Sequence, residues 1–342
     1  MTSIMRQEID EIPHVAARLL NDQAEALEAA GKALRERDPA VVVTIARGSS
    51  DHAAHFLKYA IELELGLPVA SLGPSLASIY GAPLRLSRGA AIAVSQSGAS
   101  PDIVALAKAA VDGGALTIAL ANTVPSPLSD AASFAINVDA GKEIAVAATK
   151  SFVNSIVAGL SILAHWKDDS VLKGAVAALP QHFAEALSLD WSAVIDTLAD
   201  ADSLYMLGRG PSLAIASEAA LKCKETCELH AEAYSSAEVL HGPVSLVAAA
   251  FPVIAFAARD KAEASIVATA SKLVEKNAFV YATSRLSDEH GPGKLPFVAT
   301  GHPLTDALCL IIPYYGMVEQ LSRKRGFNPD KPAALQKVTV TQ

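Results

Sequence analysis

Two places in this sequence repeat each other at one fixed distance. Ala46-Arg-Gly-Ser-Ser50 resembles Gly208-Arg-Gly-Pro-Ser212, 162 positions later, and at the same distance Ala91-Ile-Ala-Val94 matches Val253-Ile-Ala-Phe256. Each match is an apolar run, or its end, leading into a turn, which points to an internal duplication. Within the first copy, strand-like runs at 41–46, near 69, near 90, at 116–120 and at 134–138 alternate with helical stretches at 51–65, after 100 and at 149–166. Short apolar strands separated by helices predict parallel sheets buried on both faces, because parallel neighbours need crossover connections and those helices cover the sheet. An amphipathic helical arm is expected over 1–35, a first domain over 36–185 and a second over 186–342, with the boundary inside a charged helical stretch.

The chain has 342 residues and a formal net charge of −8, with no basic run. That balance excludes a footprint on nucleic acid and leaves room for a small anion held by local donors. The three cysteines, Cys223, Cys227 and Cys309, fit neither a disulfide framework nor a zinc site. The longest apolar stretch, 244–258, is broken by Ser245 and Pro252 and falls short of the ~20 residues that span a bilayer. The N-terminus has no apolar signal core. A cytoplasmic protein that meets no membrane is the expectation.

Candidate ligand groups gather where strands run into helices, at the ends of an α/β sheet that ordinarily bind ligands. In the first copy these turns are Gly48-Ser49-Ser50 and Ser95-Gln96-Ser97-Gly98-Ala99-Ser100. Hydroxyls, a carboxamide and the unpaired amides of two helix N-termini together suit a phosphate monoester. Capping competes as an explanation. Ser100, Pro101 and Asp102 form a good helix start, with Ser100 as N-cap, but Ser95, Gln96 and Ser97 have no such use. The second copy replaces Ser95-Gln-Ser-Gly98 by Ala257-Ala-Arg-Asp260, so the polar loop is not a requirement of the fold.

In the second copy a helix is expected over 213–229, with Glu218, Lys222 and Glu225 on one face. They form either a proton-transfer group or a solvated ion-pair stripe. Beyond it Ser235-x-x-Glu238 fits a capping box. His241, before Gly-Pro, is a catalytic candidate or a residue that complements a helix end; His52 and His55 read as surface or packing residues.

Taken together these residues resemble the sugar-isomerase (SIS) domain family, above all the isomerase half of the glucosamine-6-phosphate synthases. The resemblance runs from Met5-Arg-Gln-Glu-Ile-Asp-Glu-Ile-Pro13 through Gly48-Ser-Ser50, Ser95-Gln-Ser-Gly98, Glu143-Ile-Ala-Val-Ala-Ala-Thr-Lys150, Leu207-Gly-Arg-Gly210, Glu218-x-x-Leu-Lys-x-Lys-Glu225 and His230-Ala-Glu-Ala-Tyr234. It closes with Glu238-x-x-His-Gly-Pro243 and Leu335-Gln-Lys-Val-Thr-Val-Thr-Gln342. It implies an α/β fold of two tandem SIS domains, each a doubly wound, flavodoxin-like parallel sheet flanked by helices on both faces. It also implies that Gly48, Ser49, Ser50, Ser95, Gln96, Ser97 and Ser100 hold a sugar phosphate, with Glu143 and Val146 at the substrate. Glu225 would move a proton between C1 and C2, assisted by Lys222; His241 would open the sugar ring in the neighbouring subunit of a homodimer; Lys337 would engage the open-chain carbonyl.

No metal or organic cofactor is implied. Arg47 stands where the synthases usually have cysteine, and Val338 where they have serine. No glutaminase segment and no cysteine precede Cys223. The resemblance therefore implies a glucosamine-6-phosphate deaminase, releasing ammonia and fructose 6-phosphate. The alternatives are an enzyme for galactosamine 6-phosphate or a fructosamine 6-phosphate, and a non-catalytic sugar-phosphate sensor.

Overall fold

The computed structural model describes residues 2–337; Val338 and the rest of the expected tail lie outside them. Two five-stranded sheets form, both wholly parallel, in two compact units. One unit comprises Glu11–Glu143 and Lys150–Pro180. Its strands are β1 (Val41–Ile45), β2 (Val69–Ser71), β3 (Gly89–Ser95), β4 (Leu116–Ala121) and β5 (Phe134–Asn137), in the order β2-β1-β3-β4-β5. The other unit takes in the N-terminal helix through Asp10, Ile144–Thr149 and Gln181–Lys337. Its strands are β6 (Ser203–Gly208), β7 (His230–Ser235), β8 (Pro252–Ala255), β9 (Phe279–Ala282) and β10 (Gly293–Lys294), in the order β10-β9-β8-β6-β7. Read from the other edge, this is the same doubly wound order.

The duplication extends to the register. Val43, Thr44 and Ile45 lie opposite Ala91, Ile92 and Ala93; 162 residues later Tyr205, Met206 and Leu207 lie opposite Val253, Ile254 and Ala255. Every residue of β3 is buried, as helices on both faces require, and its three alanines and one glycine let those helices approach closely. Val43, Ile45, Ala91 and Ala93 pack against Ile103, Leu106, Ala107 and Ala110 of the helix that follows β3. Burying each of the larger side chains contributes about 1.5–3 kcal/mol. The helix Lys150–Lys167 is buried along nearly its whole length, which explains why the sequence there is apolar all round rather than amphipathic. It is tied in by Asn154, whose amide donates to the carbonyls of Val15 (3.0 Å) and Val138 (2.8 Å).

Candidate active site

In the first sheet β1 lies between β2 and β3, so the connections from β1 and β3 leave in opposite directions. A crevice opens at their carboxyl ends, the usual ligand position of such sheets. The two loops bordering it are 46–48 and 96–100, the polar turns singled out in the sequence. Gly48 has φ 56°, ψ −134° and leads directly into the helix Ser49–Leu65. Its counterpart Gly210 has φ 61°, ψ −137° before the helix Pro211–Cys227. Only glycine adopts this conformation without strain, so both copies preserve one sharp strand-to-helix turn.

The loop after β3 is folded by its own hydroxyls. Ser95 Oγ accepts from the Gly98 amide at 3.1 Å, and Ser97 Oγ from the Ala99 amide at 3.3 Å. Gln96 Nε2 donates to Glu143 Oε2 at 3.1 Å. The buried Glu143 carboxylate also accepts from Ser151, at 3.2 Å from the amide and 2.6 Å from the hydroxyl; burial demands such donors. Gln96 and Glu143 are thus brought together, which spacing along the chain could not show. The expectation that Ser100 caps its helix is corrected. Ser100 occupies the N-cap position, but its side chain makes no cap hydrogen bond. The N3 amide that such a cap would serve, that of Ile103, donates instead to Asp102 Oδ1 at 2.8 Å.

Gly98 is the steric pivot of this loop. It has φ 63°, and a Cβ there would lie 2.2 Å from Ser126 Oγ and 2.7 Å from its Cβ. Gly98→Ala must therefore displace either the loop or the helix start at Ser126. We expect it to weaken binding of a hexosamine 6-phosphate at least tenfold by titration calorimetry, with a loss of stability of about 1–3 kcal/mol. Unchanged affinity would contradict a phosphate role for the loop.

The matching loops of the second sheet are furnished differently. Arg259 takes the place of Ser97. Its guanidinium lies 3.6 Å from the ring centre of Phe297, with Asp306 at 3.4 Å and Glu263 at 3.8 Å. A cation already facing its own carboxylates replaces the hydroxyls there.

The second group of candidates lies on the helix Pro211–Cys227. Lys222 and Glu218 have fully buried side chains, whereas Glu225 is 21% exposed. The Lys222 ammonium hydrogen-bonds Glu225 and lies 3.3 Å from Glu218 Oε1. Tyr315 Oη donates to the same Glu218 oxygen at 3.3 Å. The solvated-stripe alternative is therefore overturned. Helix Ile311–Lys324 covers this face, pinned by Tyr314 Oη on the Ala219 carbonyl and Ser322 Oγ on that of Thr226, both at 2.6 Å. Burial alone would lower the Lys222 pKa, but the charges of Glu218 and Glu225 outweigh it and hold it above the ordinary lysine value. A permanent ammonium thus lies against one carboxylate that reaches solvent.

The expected capping box at Ser235-x-x-Glu238 is absent. Residues 230–235 form the edge strand β7, and Ser235 Oγ accepts from the Ala237 amide at 3.4 Å instead. His241 follows the single turn Glu238–Leu240 and is exposed. Lys337 Nζ donates to the Ala145 carbonyl at 2.7 Å, beside Val146, whose amide donates to the Asp330 carbonyl at 3.1 Å. The buried Glu8 accepts from the amides of Ile144 and Ala145. Sequence reasoning missed Glu8 and Tyr315, because their partners lie about a hundred residues or more away along the chain. Glu218 was visible in its spacing before Lys222 but not as a buried counter-charge.

Among the described residues no helix is long and apolar enough to cross a membrane, and no group of three or more His, Cys, Asp or Glu is placed to hold a metal ion. A family model described as the SIS domain matches residues 37–164 and 197–284, one segment in each sheet region. The chain belongs to the SIS domain family. Among the relatives of this SIS protein is the glutamine–fructose-6-phosphate aminotransferase (isomerizing) of Symbiobacterium thermophilum. It is 32% identical over 87% of this chain and 51% of its own, so the present chain spans about half the length of such relatives. A solved structure from Silicibacter pomeroyi DSS-3, provisionally described as a phosphosugar isomerase, is 51% identical. It has a TM-score of 0.93 over 96% of this chain and all of the other. The C-terminal domain of a glucosamine-fructose-6-phosphate aminotransferase from Francisella tularensis shares the fold, with TM-score 0.84, 23% identity and coverage of 97% and 99%.

Proposed function

We propose that this SIS protein is a phosphosugar isomerase acting as a glucosamine-6-phosphate deaminase. The observation that carries the proposal is the buried Lys222 ammonium held against the partly exposed Glu225. A sensor of sugar phosphate needs a phosphate cradle, but it has no use for a permanently charged lysine beside a solvent-reaching carboxylate.

In this reading Ser50, Ser95, Gln96, Ser97 and Ser100 hold the phosphate, with the helix N-termini after Gly48 and Ser100 supplying amides. Glu143 orients Gln96. His241 transfers the proton that opens the pyranose, and its exposure supports a contribution to a partner subunit in a homodimer. Glu225 takes the proton from C2 of the open aldehyde and returns it to C1 while one amine proton passes to O1, leaving an alcohol at C1 and an imine at C2. Lys222 holds the Glu225 carboxylate in place by its hydrogen bond, and Lys337 meets the carbonyl end of the open chain. Water then adds to C2 and ammonia leaves, giving fructose 6-phosphate. The aldose–ketose shift needs only acid–base groups of the kinds described.

The test is direct. Purified protein incubated with glucosamine 6-phosphate should release ammonia and fructose 6-phosphate in equal amounts. Turnover of galactosamine 6-phosphate or a fructosamine 6-phosphate without turnover of glucosamine 6-phosphate would refute the assignment.

A further inference from the structure

The crevice between β1 and β3 contains a charge at odds with anion binding. Asp102, in the first turn of the helix Pro101–Asp112, has a side chain with 0% exposure. Its carboxylate competes with a bound phosphate for the same helix N-terminus and repels it. The charge is answered from the other loop. Arg47, immediately before Gly48, forms an ion pair with Asp102, and its own side chain is 46% exposed. The pair thus joins the loop after β1 to the first turn of the helix that follows the other loop.

The second unit shows that joining the loops does not need a carboxylate. Arg209, the counterpart of Arg47, reaches the helix after β8 at a neutral hydroxyl, Ser265 Oγ, 3.4 Å away. There the cradle hydroxyls are absent. The position matching Asp102 in the second copy is Ala264, so the arginine after the first strand meets a buried helix acid in the copy that carries Ser95, Gln96 and Ser97.

We propose that Arg47 is a positioning residue of the phosphate cradle, acting by neutralising the buried Asp102 carboxylate. The proposal rests on the phosphosugar reading given above. Without Arg47 the buried Asp102 carboxylate keeps the Ile103 amide on Oδ1, at 2.8 Å, but loses the guanidinium charge that offsets its repulsion of the incoming dianion. With both charges removed the cradle is again without excess negative charge.

The experiment is a double-mutant cycle on the full chain, comparing Arg47→Ala, Asp102→Asn and the double variant. Two readouts are used: calorimetric affinity for inorganic phosphate and for glucosamine 6-phosphate, and kcat and KM for turnover. Arg47→Ala should raise KM and both dissociation constants at least tenfold, with kcat within about threefold. Asp102→Asn should bind phosphate as well as the parent or better, and the double variant should return to within about threefold of the parent. Such rescue is not expected of a residue that merely supports folding. Normal affinity in Arg47→Ala overturns the proposal. So does a double variant as weak as Arg47→Ala beside a normal Asp102→Asn, since Arg47 would then act on the phosphate itself. If Arg47→Ala does not fold, the comparison of Asp102→Asn with the double variant decides on the same criterion. A parent protein that binds neither probe overturns the phosphosugar reading together with this proposal. A parent that binds them, with no effect of Arg47, overturns this proposal alone.

Discussion

Replacing Glu225 with glutamine should lower turnover of glucosamine 6-phosphate by roughly three orders of magnitude while leaving its dissociation constant within a few-fold. The substitution keeps the shape and hydrogen-bonding length of the side chain and removes only its ability to carry a proton. Glu225 is the one member of its ion-paired group with access to solvent, at 21%, because Glu218 and Lys222 lie beneath it with none. The loops proposed to hold the phosphate belong to the other unit, so ground-state affinity should be carried by residues the mutation does not touch. A fall in kcat with unchanged affinity is the pattern of an interaction made only in the transition state. Turnover above about a tenth of the parent rate would remove Glu225 from the role of proton carrier.

Lys222→Met should be the most destabilising single change in the same helix. It leaves Glu218 and Glu225 without their shared cation, and Glu218 is wholly buried. Removing one partner of a buried ion pair costs about 3–5 kcal/mol, which for a chain of this size corresponds to a drop in Tm of roughly 10 °C. The pH dependence follows from the sign of the Lys222 shift. Its folded pKa lies above the unfolded value, so its stabilising contribution is complete below the unfolded value of about 10.4. It is lost only as pH rises through the still higher folded value. The Tm difference between parent and Lys222→Met should therefore be the same at pH 6 and pH 9, as scanning calorimetry can check. A difference that shrinks markedly between those values would mean that Lys222 titrates there and is not the permanent cation described. Adding Glu218→Gln to Lys222→Met should recover part of the loss, because it removes the carboxylate with no route to water.

Much of the fold was legible because the signals behind it are local. The strand runs at 41–46, 116–120 and 134–138 emerge as Val41–Ile45, Leu116–Ala121 and Phe134–Asn137, since a short apolar run between helices has one good place to go. The expected helix at 213–229 forms as Pro211–Cys227. The misreadings have a common cause. Ser100 and Ser235 each fit a capping pattern, and a pattern of residue types cannot reveal that Asp102 takes the Ile103 amide in place of Ser100. Nor can it show that β7 pairs with β6 over His230–Ser235 and draws Ser235 into a strand.

The sequence by itself determined the duplication, the parallel architecture, the polar loop after β3 and the spacing of Glu218, Lys222 and Glu225. All of these follow from periodicity or from comparing one half of the chain with the other. Only the tertiary structure decided which of those charges are buried. Lys222 is a sealed ammonium because helix Ile311–Lys324 lies over it, and Asp102 is a buried carboxylate answered by Arg47 across two loops. Gln96 meets Glu143, 47 residues away, through the folding of the chain rather than its order. Burial sets the energy of a charge, and it depends on packing among segments far apart in the sequence, which no local pattern records.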